Sequence, residues 1–303
     1  MKVITLSKRA FESLEPLKLS REVLNTESQV YYFKSQGKPM ILKKLFYQDG
    51  VTFANKLYTL EMLSSNKEKL PNSFMVPDAL ISVSGKIPGF VVPFMEGENL
   101  EKVLLDSNCT LEEKKYFLTK VGEILNQMKA IRDNTSLKDL FLCDLHASNF
   151  VVNRNNHEVG VVDLDSCKIN GNKSSTSLFL NPLGLLNHVK GKYNIIGDKE
   201  GNYNIGYVEA DENTDLYCYS MMLLSFLYGN REINCVSLDN YYRYLDYLSY
   251  VGIDDNLLDS FRNLVSNKKN SNPFHYISTI NREQACRAKC IVYQKVKKNF
   301  NRF

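Results

Sequence analysis

Three oxygen-bearing side chains, Asp144, Asn149 and Asp163, are spaced so that a single hairpin would gather them. Asp144 and Asn149 belong to Cys143-Asp144-Leu145-His146-Ala147-Ser148-Asn149, which runs into the apolar Phe150-Val151-Val152. Asp163 follows Val159-Gly160-Val161-Val162, and the polar turn Asn153 to His157 joins the two apolar runs. Short apolar runs joined by such a turn fold back antiparallel. The residues before the first strand and after the second then meet at one end. Carboxylate and amide oxygens are the ligands Mg²⁺ prefers, and Mg²⁺ shares its remaining positions between water and substrate phosphates. A nucleotide site is therefore expected at that end of the hairpin.

Positioning these groups requires a framework on both sides of them. Upstream, the alternation in Val30-Tyr31-Tyr32-Phe33, the turn Ser35-Gln36-Gly37-Lys38-Pro39 and the apolar Met40-Ile41-Leu42 predict an antiparallel hairpin. Lys43 and Lys44 follow its second strand. Phe53, Leu57 and Leu60 recur with the spacing of one helix face, which Pro71 ends. Further strands near Ala79 to Val83 and Phe90 to Phe94 complete a small sheet, and the chain turns at Met95-Glu96-Gly97-Glu98. Beyond the turn, Leu118, Val121, Leu125 and Met128 form a helical stripe. Leu216 to Leu227 is apolar on nearly every side, as in a buried helix. The long stretch from Ser166 to Asp211 has little periodicity, and such length usually carries function.

Composition sets the outer bounds. A chain of 303 residues with 44% hydrophobic and 24% charged residues buries a large core and is neither disordered nor fibrous. A formal charge of +4 is too small to imply nucleic acid. The first residues lack the apolar core of a secretory signal, and Cys218 to Tyr228 is about half the roughly 20 residues that span a bilayer. Seven cysteines without a paired CxxC set read as reduced thiols, so a cytoplasmic location without transmembrane segments is expected.

With Asp144, four residues, Asn149, and then Asp163, the chain resembles the protein-kinase-like superfamily. The resemblance implies an α+β, two-lobed fold: a small antiparallel-sheet N-lobe over 1–95, a mainly helical C-lobe over 96–281, and a basic tail over 282–303. It further implies ATP and Mg as cofactors. Asp144 would be the catalytic base, while Asn149 and Asp163 would hold the metal. Ile41-Leu42-Lys43 looks like the family's strand ending in the phosphate-pairing lysine, with Glu61 on the next helix as its ion-pair partner. Lys44 takes that place if the register slips by one residue. Val92-Pro93-Phe94-Met95 is similar to the linker that binds adenine, Met95 donating its N–H and Pro93 contributing only its carbonyl, and Asn99 would meet the ribose. Thr214-Asp215-Leu216-Tyr217 looks like the start of the large C-lobe helix, with Asp215 bonded to the catalytic-loop backbone.

Several positions depart from the family pattern. Leu24-Asn25-Thr26-Glu27-Ser28-Gln29 lacks the glycines of a phosphate-covering loop. Leu142-Cys143 replaces His-Arg, Asp165 stands where glycine is usual, and Tyr207 to Glu212 lacks Ala-Pro-Glu. His146 is similar to the Asp-x-His loop of aminoglycoside- and choline-kinase-like enzymes. Each residue alone also has a structural reading: Asp144 as a turn cap, Asp215 as a helix cap, and Lys43 with Glu61 as a surface pair worth about 0–1 kcal/mol. The ordered combination favours an Mg-ATP-dependent phosphotransferase of the Ser/Thr protein kinase type acting on a protein hydroxyl. The alternatives are a small-molecule kinase and a pseudokinase that binds nucleotide or a partner. Ala285, Ala288, Val292 and Val296 share one helical face in the basic tail, which either packs on its own domain or meets an acidic partner.

Overall fold

Both N-terminal hairpins are set by two-residue turns in which the second residue is glycine. Gln36 and Gly37 have φ of 51° and 78°, Ser84 and Gly85 of 50° and 80°. Two successive left-handed residues give the turn whose twist matches a strand pair. The first joins β2 (Ser28–Ser35) to β3 (Lys38–Leu45), and the second joins β4 (Ala79–Val83) to β5 (Lys86–Pro93). The computed structural model describes residues 1–17, 28–46, 48, 50–171, 196–197, 203–204, 212–229, 238–265 and 272–290. The glycine-poor positions 24–27, most of the 166–211 stretch with Ser174 to Ser177, positions 207–211, and Val292 and Val296 of the tail lie outside them.

The molecule is α+β. Its five-stranded sheet has the order β1-β4-β5-β3-β2. An all-antiparallel sheet was expected, but β1 (Lys2–Leu6) pairs parallel with β4, so the sheet is mixed. The β-branched run Val3-Ile4-Thr5 favours an extended edge strand, and the long crossover through β2, β3 and a helix before β4 is what parallel pairing requires. Lys43 and Lys44 lie within β3 rather than beyond it. Period-two alternation divides the sheet's apolar residues. Met40, Leu42, Ile81 and Val91 pack on one face with Phe11 of α1 (Lys8–Glu12) and with Leu14. Leu45 and Phe90 pack on the other with Phe53, Leu57 and Leu60 of α2 (Gly50–Ser65).

A separate, larger hydrophobic cluster fills the helical part. Helix α4 (Leu111–Asn134) begins with a capping box between Thr110 and Glu113, and its stripe Leu118, Val121, Leu125 and Met128 is buried as the spacing predicts. It packs against the helix Glu212–Tyr228, where the Tyr219 hydroxyl donates to the Leu118 carbonyl at 2.7 Å. A helix over 282–290 buries Ala285 and Ala288 in the same cluster, so this part of the basic tail packs on its own domain. The sheet meets the helical part through a small three-stranded sheet of β6 (Glu98–Asn99), β7 (Phe150–Asn153) and β8 (Glu158–Val161). Here Val161 N–H donates to the Ser73 carbonyl at 2.7 Å and Met75 N–H to the Val161 carbonyl at 3.0 Å. Among the described residues no helix is long and apolar enough to cross a membrane.

Gly89, opposite Lys44 in the β3–β5 pair, leaves no room for a side chain. A Cβ there would collide with the Lys43 carbonyl oxygen and lie 3.1 Å from its carbonyl carbon. Gly89→Ala should therefore separate the strands beside Lys43 and cost about 1–3 kcal/mol. The expected result is a lower urea midpoint at unchanged slope.

Candidate functional site

The loop ahead of Asp144 is held in a sparsely populated backbone conformation by one side chain. Cys143 has φ of 65°, and Asp144 N–H donates back to the Leu142 carbonyl at 2.7 Å. Such a three-residue turn in a non-glycine residue is strained and persists only when its surroundings impose it. The imposition comes from Asp215 in the first turn of the helix Glu212–Tyr228. Its Oδ2 accepts from Leu142 N–H and its Oδ1 from Cys143 N–H, both at 2.9 Å, and Asp215 is 3% exposed. The backbone contact expected of Asp215 is present. Behind the loop, Phe141 and Lys168 pair through both backbone bonds, and the Arg132 guanidinium donates to the Leu140 carbonyl at 2.9 Å.

From this loop a run of hydrogen bonds leads to the hairpin. Asn149 Nδ2 donates to the Asp144 carbonyl at 2.8 Å and lies 3.3 Å from its Oδ2. His146 Nε2 stands 3.7 Å from Asp144 Oδ1. Burial works against a charged imidazole, but the nearby Asp144 carboxylate, with Asp163 behind it, raises the His146 pKa. Val162 N–H donates to the Asn149 carbonyl at 2.9 Å, which ties the two ends of the β7–β8 hairpin together. Asp163 follows in a left-handed conformation, φ 62° and ψ 43°, and opens the short helical turn Leu164–Ser166.

Lys43 reaches this end of the hairpin from the sheet. Its Nζ donates to Asp163 Oδ1 and, at 2.8 Å, to Asp165 Oδ1. The register is thereby fixed on Lys43, because the Lys44 ammonium lies 5.3 Å over the Phe11 ring on the opposite face of β3. Burial opposes a charged Lys43, yet Asp163 and Asp165 together outweigh it and raise its pKa. Asp165 is 3% exposed. Burial alone would lift its carboxyl, but Lys43 and Lys56 hold it well below the usual carboxylate range. The Asp163 carboxyl is pushed up to about 6 by burial, with Lys43 pulling it down and Asp165 adding to the rise. Its side chain keeps 39% exposure, so solvent screens part of this effect.

Asp144 with Asn149 and Lys43 with Asp163 are thus two contacting pairs, brought to one end of the hairpin by the bond from Val162 N–H to the Asn149 carbonyl. Glu61 is not among them, which corrects the expected ion pair. It lies on the exposed side of α2 with no hydrogen bond or ion pair among the described residues, while the buried side presents Lys56 and Thr59. Asn99 has a structural place in the fold. It caps α3 (Leu100–Leu105), accepting from Glu101 N–H at 3.0 Å and donating to the Ser148 carbonyl at 2.6 Å, so its side chain braces the loop. Pro93 ends β5 opposite Met40, and the Met95 side chain packs on Gly160. No hydrogen bond to the Met95 N–H forms among the described residues.

Lys56 and the bridging part played by Asp165 were missed. The signal was present: Phe53, Lys56, Leu60 and Leu63 follow one i+3/i+4 stripe, and a lysine on an apolar stripe needs a buried partner. Among the described residues no three His, Cys, Asp or Glu side chains are grouped to hold a metal by themselves. The amide of Asn149 and the carboxylate of Asp163 are hard oxygen donors, and they fit a magnesium ion shared with phosphate oxygens rather than a protein-only cage. The burial of Cys167 and Cys218 raises their thiol pKa values well above normal, as in inert packing thiols. No protein-family model matches the chain, and no curated protein matches it.

Asp215→Ala should leave two buried N–H groups without their acceptor at the strained Cys143 turn, each costing about 1–3 kcal/mol. Chemical denaturation should show that loss, with Asp215→Asn, which keeps one acceptor oxygen, falling between it and the parent.

Proposed function

We propose that this chain is an Mg²⁺- and ATP-dependent phosphotransferase of the protein-kinase-like type, two-lobed over 1–95 and 96–281. The observation that carries this reading is the convergence of Lys43, from a sheet strand, on Asp163, beside the Asp144–Asn149 loop that Asp215 holds. Each side chain then has a task. Lys43 binds the α- and β-phosphates, and Asn149 and Asp163 hold the metal. The Met95 N–H and the Pro93 carbonyl face adenine in the segment that joins the two parts. Magnesium held by Asn149 and Asp163 would supply neutralisation of phosphate charge.

Asp144 orients the acceptor hydroxyl. The acceptor hydroxyl oxygen forms a bond to the γ-phosphorus as the bond to the ADP oxygen breaks, and the hydroxyl proton passes to the Asp144 carboxylate. The favoured acceptor is a protein serine or threonine, in the cytoplasm where ATP and reduced thiols coexist. His146 beside Asp144 supports a second reading, a small-molecule hydroxyl as acceptor, through its similarity to the Asp-x-His loop.

Purified protein incubated with Mg²⁺ and γ-labelled ATP, alone, with a generic protein acceptor, and with aminoglycoside or choline acceptors, decides between these. Label on protein is the expected result, and label confined to the small molecules selects the second reading. ATP binding without transfer to any acceptor would instead leave a nucleotide-binding pseudokinase. Asp144→Asn should keep calorimetric ATP affinity while transfer falls about 10²- to 10⁴-fold. Chelation should weaken ATP binding in the parent and not in Asp163→Ala.

A further inference from the structure

We propose that Asp165 is the positioning residue for Lys43, doing from the metal-binding turn what no acid on α2 does, and that Lys56 anchors it. This rests on the reading of Lys43 as a phosphate-binding group. The Asp165 carboxylate is divided between two ammonium groups. Oδ1 accepts from Lys43 Nζ at 2.8 Å and Oδ2 from Lys56 Nζ at 2.7 Å. The side chains of Lys43, Lys56 and Asp165 are 11%, 6% and 3% exposed. Thr59, one turn beyond Lys56, donates to the Cys167 carbonyl at 3.3 Å, so α2 grips the turn at a second point. Glu61, two residues further, points away.

The charges make the arrangement suit an anion. Lys43 and Lys56 balance Asp163 and Asp165 in the structure as it stands. With Asp163 engaged by a metal ion, Asp165 would still hold Lys43 and Lys56. Lys43 then has ammonium protons directed by Asp165 and available to phosphate oxygens. A carboxylate on α2 is not required, because the lysine of α2 holds the acid from behind.

Two measurements test this. Asp165→Asn alone would leave two lysines facing each other inside the protein. The variant used is therefore Lys56→Met with Asp165→Leu, whose apolar side chains replace the buried bridge at similar volume. In nucleotide-free protein carrying ¹⁵N-labelled lysine, the Lys43 ammonium signal, assigned by its loss in Lys43→Met, should shift or broaden in the paired variant. It should persist in Lys56→Arg. A Lys43 signal unchanged in the paired variant would overturn the proposal. In calorimetric titrations with Mg²⁺-ATP, Lys43→Met should weaken binding about tenfold in the parent but less than about twofold in the paired variant, since residues acting through one another are not additive. Independent, additive losses would also overturn it. If the ammonium signal responds as expected and the parent binds no nucleotide, the phosphotransferase reading fails while the positioning of Lys43 by Asp165 stands.

Discussion

A carboxylate shared between two buried lysines is the constraint around which the sheet, helix α2 and the turn over Asp163 to Ser166 are arranged. Each of the three groups would be expensive to bury alone, because burial removes the water that stabilises its charge. Removing one member of such a cluster typically costs about 3–5 kcal/mol, since the others remain buried and uncompensated. Lys43 comes from β3, Lys56 from α2 and Asp165 from the turn after β8. Residues far apart in sequence must therefore arrive together, and the sheet's position relative to the hairpin is set by charge as well as by packing. Phe90 supports the same point, its ring 5.4 Å from the Lys43 ammonium.

A second constraint works on the backbone. The left-handed Cys143 and Asp163 bracket the β7–β8 hairpin, and each aims the residues beside it. Asp215 holds the first of these turns through two N–H groups, and the Lys43 contact fixes the side chain of the second. The helix Glu212–Tyr228 thus acts on the loop from the helical side, while β3 acts on the turn from the sheet side. Asn99 and Ser148 add a third brace, because Ser148 Oγ also donates to Glu101 Oε2 at 2.8 Å. The oxygen-bearing side chains sit where these supports cross, and little of their placement depends on the loop's own sequence.

Local pattern was legible wherever one period or one turn dominated. The hairpins, the α4 stripe and the helix from Glu212 follow from alternation, from X-Gly turns and from i+3/i+4 spacing. The link between Asp144, Asn149 and Asp163 was legible because a short hairpin converts sequence distance into proximity. β1 was not, because its partner β4 lies more than seventy residues away and no turn signal joins them. Glu61 failed as an ion-pair partner for a related reason. Family analogy supplied an acid on α2, whereas the helix's own periodicity places Lys56 on the buried side and Glu61 outside. Asn99 was read by its reach toward a ligand, although its place at the start of a helix already gave it an N–H to cap.

Facing the turn with Lys56 rather than with an acid changes what α2 can do. Were the acid on the helix, moving the helix alone would release Lys43 while the turn after β8 stayed in place. Here the acid belongs to the turn, and α2 holds it through Lys56 and Thr59. Moving α2 away would pull the turn with it or strand the buried charges of Asp165 and Lys56, and stranding them is the costlier course. Helix and turn are therefore coupled as one unit, and Lys43 keeps its orientation for as long as that unit holds.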